Sequence, residues 1–380
     1  MINYGKHHID DNDLRSVENC LKYNLLTQGP LVNKFEKDLQ KKFKAKYSTV
    51  VSSGTSALHL ISKILNWKKG DEVLCSAISF AASSNCVLYS NANVIFSDID
   101  PFTFNLDLNH VEYLLKRRKK IKSIVATDYA GNPNDWKSLR FLSKRYRKTL
   151  INDNCHAIGS KYQNNIGYAV KYADLVSHSY HAVKNITTGE GGSILTNNSK
   201  FDKKAKLLRN HGIENVTRRI NFKPRRMIEL GYNYRLPDIL CSLGISQLKR
   251  LDEFVKRRRE IAKIYSQNFD QIEDIKIQKI EKNSLSSYHL YPILINFEKI
   301  KKSKKKLFEY FFKNKISLQI HYIPIYRHPF YKKIMRLNPK EYVNSEIFYK
   351  RQVSLPIYFG LKNNQIKKVI FLLKKFINKR

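Results

Sequence analysis

The chain has 380 residues, 42% hydrophobic and 27% charged, a balance that excludes a disordered or low-complexity protein. Its 70 Lys and Arg against 32 Asp and Glu give a formal charge of +38. The basic residues scatter along the whole chain, with the densest runs at 117–120, 257–259 and 301–306, and each run reads as a helix end or face. No zinc-finger spacing, helix-turn-helix pattern or ribonucleoprotein aromatic signature accompanies them, so a solvated Lys-rich surface is expected and nucleic acid is not an expected partner. Such a surface still attracts anionic small molecules.

Five widely spaced Cys with no C-x-x-C pair fit reduced thiols better than a disulfide framework. The first residues lack the apolar core of a signal peptide, and no apolar run reaches membrane-span length. A cytoplasmic protein with no membrane partner and no metal is the expectation.

In chain order, 11–23 and 33–43 read as amphipathic helices, joined by the turn-forming stretch Asn24 to Pro30. Short apolar runs at 48–51, 72–75, 93–97, 121–127, 149–152, 175–179 and 192–196 read as strands. Helical stretches lie between most of them, among them 57–65, 81–89, 111–117 and 137–147. This alternation predicts an α/β fold, a mostly parallel sheet with helices on both faces. One long helix is expected from 237 to about 265. The rest reads as a smaller α+β unit, with strands at 289–295 and 316–322 and helices at 303–313 and 365–376. The expected division is therefore a large domain over 1–240 and a small one over 241–380.

Three places carry possible chemistry. Ser52-Ser-Gly-Thr-Ser-Ala57 follows a strand and opens a helix, where free N–H groups, the helix dipole and the Thr55 and Ser56 hydroxyls suit a phosphate. Ser and Thr are also ordinary helix caps. Asp153, at the end of a strand, would face the crevice and could hold a protonated ring nitrogen; capping a turn is the competing role. Lys184 lies in a loop with two Thr and three Gly, running to Gly192, between two apolar strands. A Lys kept neutral there can form an imine, and the setting is unusual for one that only meets solvent.

The segments Ser53-Gly-Thr-Ser-Ala-Leu58, Asp153-Asn-Cys-His-Ala-Ile-Gly159, His181-Ala-Val-Lys-Asn-Ile-Thr-Thr-Gly-Glu-Gly-Gly192 and Gly231-Tyr-Asn-Tyr-Arg-Leu-Pro-Asp238 resemble the DegT/DnrJ/StrS sugar aminotransferases. The likeness runs in order over nearly the whole chain and includes Leu26-Thr-Gln-Gly-Pro30, Asp128-Tyr-Ala-Gly131, His321-Tyr-Ile-Pro-Ile-Tyr326 and Ser354-Leu-Pro356. It implies fold type I of the enzymes that use pyridoxal 5′-phosphate (PLP), and a homodimer with active sites at the interface. By matching positions, Lys184 would hold the cofactor as a Schiff base and carry protons. Asp153 would pair with the pyridine nitrogen. Thr55, Ser56 and Ser179 would bind the cofactor phosphate, joined by Asn233 of the partner subunit. Phe80 would stack on the ring, and His156 would lie near it.

The resemblance further implies transfer of an amino group from L-glutamate to C4 of a UDP-linked 2-acetamido-2,6-dideoxy-4-keto-hexose, as in pseudaminic acid synthesis. Tyr4, Asn24, Leu25, Leu26, Thr27, Gln319, Ile320, His321 and Tyr322 would touch that substrate. Legionaminic or bacillosamine-type sugars stay open, as do a dehydratase or a non-catalytic regulator on the same fold. The dehydratases carry His where this chain has Lys184. Departures from the family pattern are Ser177-His-Ser-Tyr-His181, Pro237 and Asn154-Cys155.

Overall fold

The computed structural model describes residues 1–214 and 225–378. Eight strands occupy the first half: β1 Tyr47–Val51, β2 Glu72–Ser76, β3 Asn93–Ser97, β4 Ile121–Thr127, β5 Thr149–Asp153, β6 Lys161–Tyr162, β7 Leu175–Ser179 and β8 Gly192–Thr196. Seven of them form one sheet in the order β1-β8-β7-β5-β4-β2-β3, while β6 pairs separately with Ser284–Leu285. The pairs from β7 through β5, β4 and β2 to β3 are all parallel. Only β8 runs against its neighbours β7 and β1.

The strands are short apolar runs because helices cover both faces of the sheet. One face packs on a core containing Phe35, Leu74, Trp136, Leu150 and Val176. The other packs on Val51, Leu58, Ile61, Val73, Val125 and Ile151. Every expected strand of this sheet is present, within a residue at each end. The mostly parallel sheet with helices is the fold-type-I architecture.

The expected helix from 237 to 265 is instead two helices, Asp238–Lys249 and Leu251–Phe269. Arg250 leaves helical geometry at φ −100° and ψ 4°. Its guanidinium pairs with Asp10 and Glu253 and lies 4.7 Å over the Phe254 ring. A tertiary tie to the amino-terminal segment breaks the helix where no Gly or Pro does.

A three-stranded antiparallel sheet, Ile275–Ile277, Tyr291–Ile295 and Gln352–Leu355, carries the second unit. Helices Lys304–Lys313 and Asn363–Asn378 pack against it around Ile293, Phe311, Ile316 and Val369. The expected strand at 316–322 is absent, and only isolated bridges form there, Ile2 with Ile316 and Gln319 with Ser354. The His321 N–H donates to the Gln352 side chain and its carbonyl accepts from the Tyr129 hydroxyl, so its backbone is satisfied without a ladder. The two units share a boundary helix: Leu251, Phe254 and Val255 pack in the large core, and Ile261, Tyr265 and Phe269 in the small one. Ile2 also packs in the small core, so the hydrophobic cores divide the chain differently from a cut at 240.

Candidate active site

The C-terminal ends of β1, β2, β5 and β7 open into one cleft of 620 Å³. Open parallel sheets bind ligands at that edge because successive loops diverge there. Of the residues singled out from sequence, Tyr4, Thr55, Phe80, Asp153, His156, Ser179, Lys184, Gln319, Ile320, His321 and Tyr322 line the cleft.

Asp153 ends β5 and is 4% exposed. The Ser83 hydroxyl donates to its Oδ2, while the Ser177 hydroxyl donates to its Oδ1 at 3.4 Å. The hydroxyls of Ser83, Ser79 and Thr127 continue that contact into a chain, with separations of 2.6 and 3.2 Å. Lys184 stands in the loop between β7 and β8. Burial lowers its pKa from the usual lysine range, with Cys155 and Asp153 opposing. Its Nζ lies 3.5 Å from His289 Nε2.

Around this pair the polar rings are neutral. Burial, aided by Lys184, holds His156 and His289 well below the usual histidine range and brings His321 to about 3. His156 Nε2 meets the Tyr322 hydroxyl at 3.0 Å, and His321 Nδ1 meets Ser354 Oγ at 2.9 Å. Phe80 is 57% exposed on the cleft wall, 6.0 Å from the Tyr322 ring.

The start of helix Gly54–Ile64 also lines the cleft. Ser53 Oγ accepts the Ser56 N–H and the Ser53 carbonyl accepts that of Ala57. The N–H groups of Gly54 and Thr55, as first-turn residues, have no intrahelical partner. A Cβ on Gly54 would stand 2.7 Å from Ser179 Cβ, and one on Gly192 2.4 Å from the Ser53 carbonyl oxygen. Glycine at both positions lets this turn lie directly against β7 and β8. The structure spends Ser56 differently from expectation. Its Oγ accepts from the Ser53 N–H and donates to the Ser53 carbonyl, both at 2.8 Å, closing a capping box, and it lies outside the cleft.

Asn24, Leu25, Leu26, Thr27 and Asn233 are exposed and do not line the cleft of their own chain. The first four are tethered through Asp238: its N–H donates to the Leu26 carbonyl, and its carboxylate accepts from Gly29 and Leu31. Sequence reasoning passed over Ser83, Ser177 and His289. Ser83 sits in the helix Ala82–Leu88 and Ser177 on β7, and only the tertiary fold turns both hydroxyls toward Asp153. His289 was read as part of a strand that begins at Tyr291.

A buried carboxylate, a partly desolvated lysine, an exposed aromatic wall and a helix start rich in free donors are complementary to a phosphorylated aromatic aldehyde. The sheet order and this cleft define the class: a fold-type-I aminotransferase. Residues 7–374 match the DegT/DnrJ/EryC1/StrS aminotransferase family, and the chain belongs to it. It is 38% identical to the UDP-4-amino-4,6-dideoxy-N-acetyl-beta-L-altrosamine transaminase of Campylobacter jejuni, over all of this chain and 99% of that one. The solved structure of Helicobacter pylori PseC, an aminotransferase involved in the biosynthesis of pseudoaminic acid, superposes with a TM-score of 0.91. It is 31% identical and covers 99% of each chain. A putative sugar aminotransferase from Streptococcus pneumoniae in its PMP-form gives a TM-score of 0.91 at 25% identity over 99% of each chain. Among the described residues, no helix is long and apolar enough to cross a membrane.

Proposed function

We propose that this aminotransferase uses PLP to move an amino group from L-glutamate to C4 of a UDP-linked 2-acetamido-2,6-dideoxy-4-keto-hexose, in the manner of pseudaminic acid biosynthesis. The observation that carries the cofactor assignment is Lys184, buried Asp153 and a donor-rich helix start lining one cleft. The substrate assignment rests on the likeness to the Campylobacter jejuni and Helicobacter pylori enzymes.

The bound cofactor supplies an electron sink for charge formed on the carbon beside the transferred nitrogen. Lys184 would hold it covalently, and Asp153, fixed by Ser83 and Ser177, would keep its ring nitrogen protonated. Thr55, Ser179 and the free N–H groups of Gly54 and Thr55 would bind its phosphate, and Phe80 would cover the ring. Lys184 Nζ takes the proton from glutamate Cα in the first half-reaction and delivers one to the sugar's C4 in the second. Tyr4 and Gln319 to Tyr322 line the side from which the sugar enters. His321 and Tyr322 remain neutral there, since burial also pushes the Tyr322 phenol up.

We place Asn233 and the 24–27 loop at the active site of a second copy. They are exposed on this chain, as are Met227 at 66%, Ile228 at 58% and Leu230 at 77%, an apolar run suited to burial in a homodimer.

The test is a single-turnover spectrum. Protein loaded with PLP is given glutamate and then each of a panel of UDP-linked 4-keto-sugars. Conversion to the pyridoxamine form, reversed by a UDP-linked 2-acetamido-2,6-dideoxy-4-keto-hexose, supports the proposal. Reversal by a different sugar replaces the substrate assignment, and absence of any cofactor band with excess PLP removes the Lys184 assignment.

A further inference from the structure

His289 is buried, yet its ring makes no hydrogen bond that serves packing. Its Nδ1 has no partner among the described residues, and its Nε2 has one, the Lys184 amine at 3.5 Å. A buried histidine kept only for the core normally has its ring nitrogens satisfied by the protein. The ring is instead held by its surroundings. It packs against His156 with centroids 4.7 Å apart. Behind it the guanidinium of Arg258, 3% exposed, donates to the carbonyls of Tyr288, His289 and Ile357 at 3.1, 3.2 and 2.9 Å. Three carbonyls on one buried cation fix the backbone from which His289 projects, holding it to the Leu251–Phe269 helix and to Ile357.

We propose that His289 is a positioning residue for Lys184: its neutral imidazole holds the free amine at the cleft floor, ready to capture the cofactor's aldehyde. This rests on the reading of Lys184 given above. With the ring proton on Nδ1, Nε2 accepts one amine N–H and the amine nitrogen lone pair stays free to react. The contact is at the outer limit of a hydrogen bond, as is usual for such pairs before a ligand tightens them. The charged and titratable groups facing Lys184 are Asp153 and Cys155 after β5, His156 beside them, His289, and His321 on the 321–322 segment. Among these, His289 is the one whose ring nitrogen meets the amine. Capture forms a C=N bond between the Lys184 nitrogen and the aldehyde carbon, and the aldehyde oxygen leaves as water with both amine protons.

The experiment compares two ligands on the full chain. Pyridoxal phosphate reports covalent capture, followed by absorbance and located at Lys184 by borohydride reduction and peptide mass. Pyridoxamine 5′-phosphate has no aldehyde and reports the pocket alone, by calorimetry. In His289→Phe, capture is expected to slow by about tenfold or more, as for a misplaced reacting group, with pyridoxamine phosphate affinity within about twofold of the wild type. His289→Gln, which keeps an acceptor, restores most of the rate. His289→Leu repeats the comparison with a smaller side chain. Wild-type capture rates in both Phe and Leu variants overturn the proposal, as does an equal loss of pyridoxamine phosphate binding in both, which marks a structural role. If wild-type protein captures nothing at Lys184, or Lys184→Ala captures as well as wild type, the cofactor assignment itself has failed, and this shows without any His289 variant.

Discussion

At the scale of single residues, the site pairs a lysine pushed toward its neutral form with a carboxylate fixed by two serine hydroxyls. Lys184→Ala is expected to lower transamination by at least about a hundredfold, the scale of a lost general acid–base group, while pyridoxal phosphate still binds non-covalently. Near-normal turnover in that variant would contradict the role. Asp153→Asn should leave capture at Lys184 intact and slow the half-reaction with glutamate, read by stopped-flow absorbance. A second residue effect concerns pH. Burial holds His178 at about 3, far below an unfolded histidine. A depressed folded pKa gives stability that is present above about pH 6.5 and lost as pH falls toward 3. His178 alone should cost about 2 kcal/mol between pH 6.5 and pH 5. Urea midpoints at pH 7.5 and pH 5 should therefore lie closer together in His178→Leu than in the wild type.

At the scale of elements, Asp128 joins the ends of β4 and β5 to the helices behind them. It is fully buried and accepts from the Asn134 backbone and side chain, Trp136, Asn152, Asn154 and Tyr168, at 2.6 to 3.2 Å. Burial pushes its pKa up to about 6 against these donors, so it is ionised at neutral pH. Two of the bonds fix Asn152 and Asn154, the residues on either side of Asp153. Asp128→Asn keeps the shape but turns an amide toward donors. It should lose about 3 kcal/mol or more of unfolding free energy, measured by urea titration at pH 7.5. A loss below about 1 kcal/mol would mean that water or rearrangement replaces the missing acceptor.

At the scale of the whole molecule, the loops after the large sheet supply one wall of the cleft, and the small unit, with the amino-terminal segment, supplies the other. Tyr4 is anchored there: its carbonyl accepts the Ile357 N–H at 3.0 Å, and its ring lies 5.2 Å from that of His321. Asn233 tests the proposed second copy. Asn233→Ala should weaken retention of pyridoxal phosphate, by about tenfold for a lost hydrogen bond to a charged phosphate, in gel-filtered protein that sediments as a dimer. Unchanged retention would remove that residue from the cofactor site.

What the sequence determined by itself was the alternating fold and several of the residues that the fold gathers at one cleft. Strands buried on both faces are short apolar runs and helices carry an apolar stripe, so local pattern marks them. Asp153 and the Ser53–Ser56 turn stand at a strand end and a helix start, and Lys184 in the loop between two strands, where that pattern breaks. Tertiary structure decided the rest, because the forces responsible are long-range. The helix break at Arg250 comes from an ion pair across the chain to Asp10, and the irregular path after Ile316 comes from side chains of Gln352 and Tyr129 taking backbone partners. The Ser56 hydroxyl went to a local cap, a competition that residue type cannot settle. His289 had no signal in the sequence, since its place beside Lys184 exists only once the tertiary fold brings two residues 105 positions apart into contact.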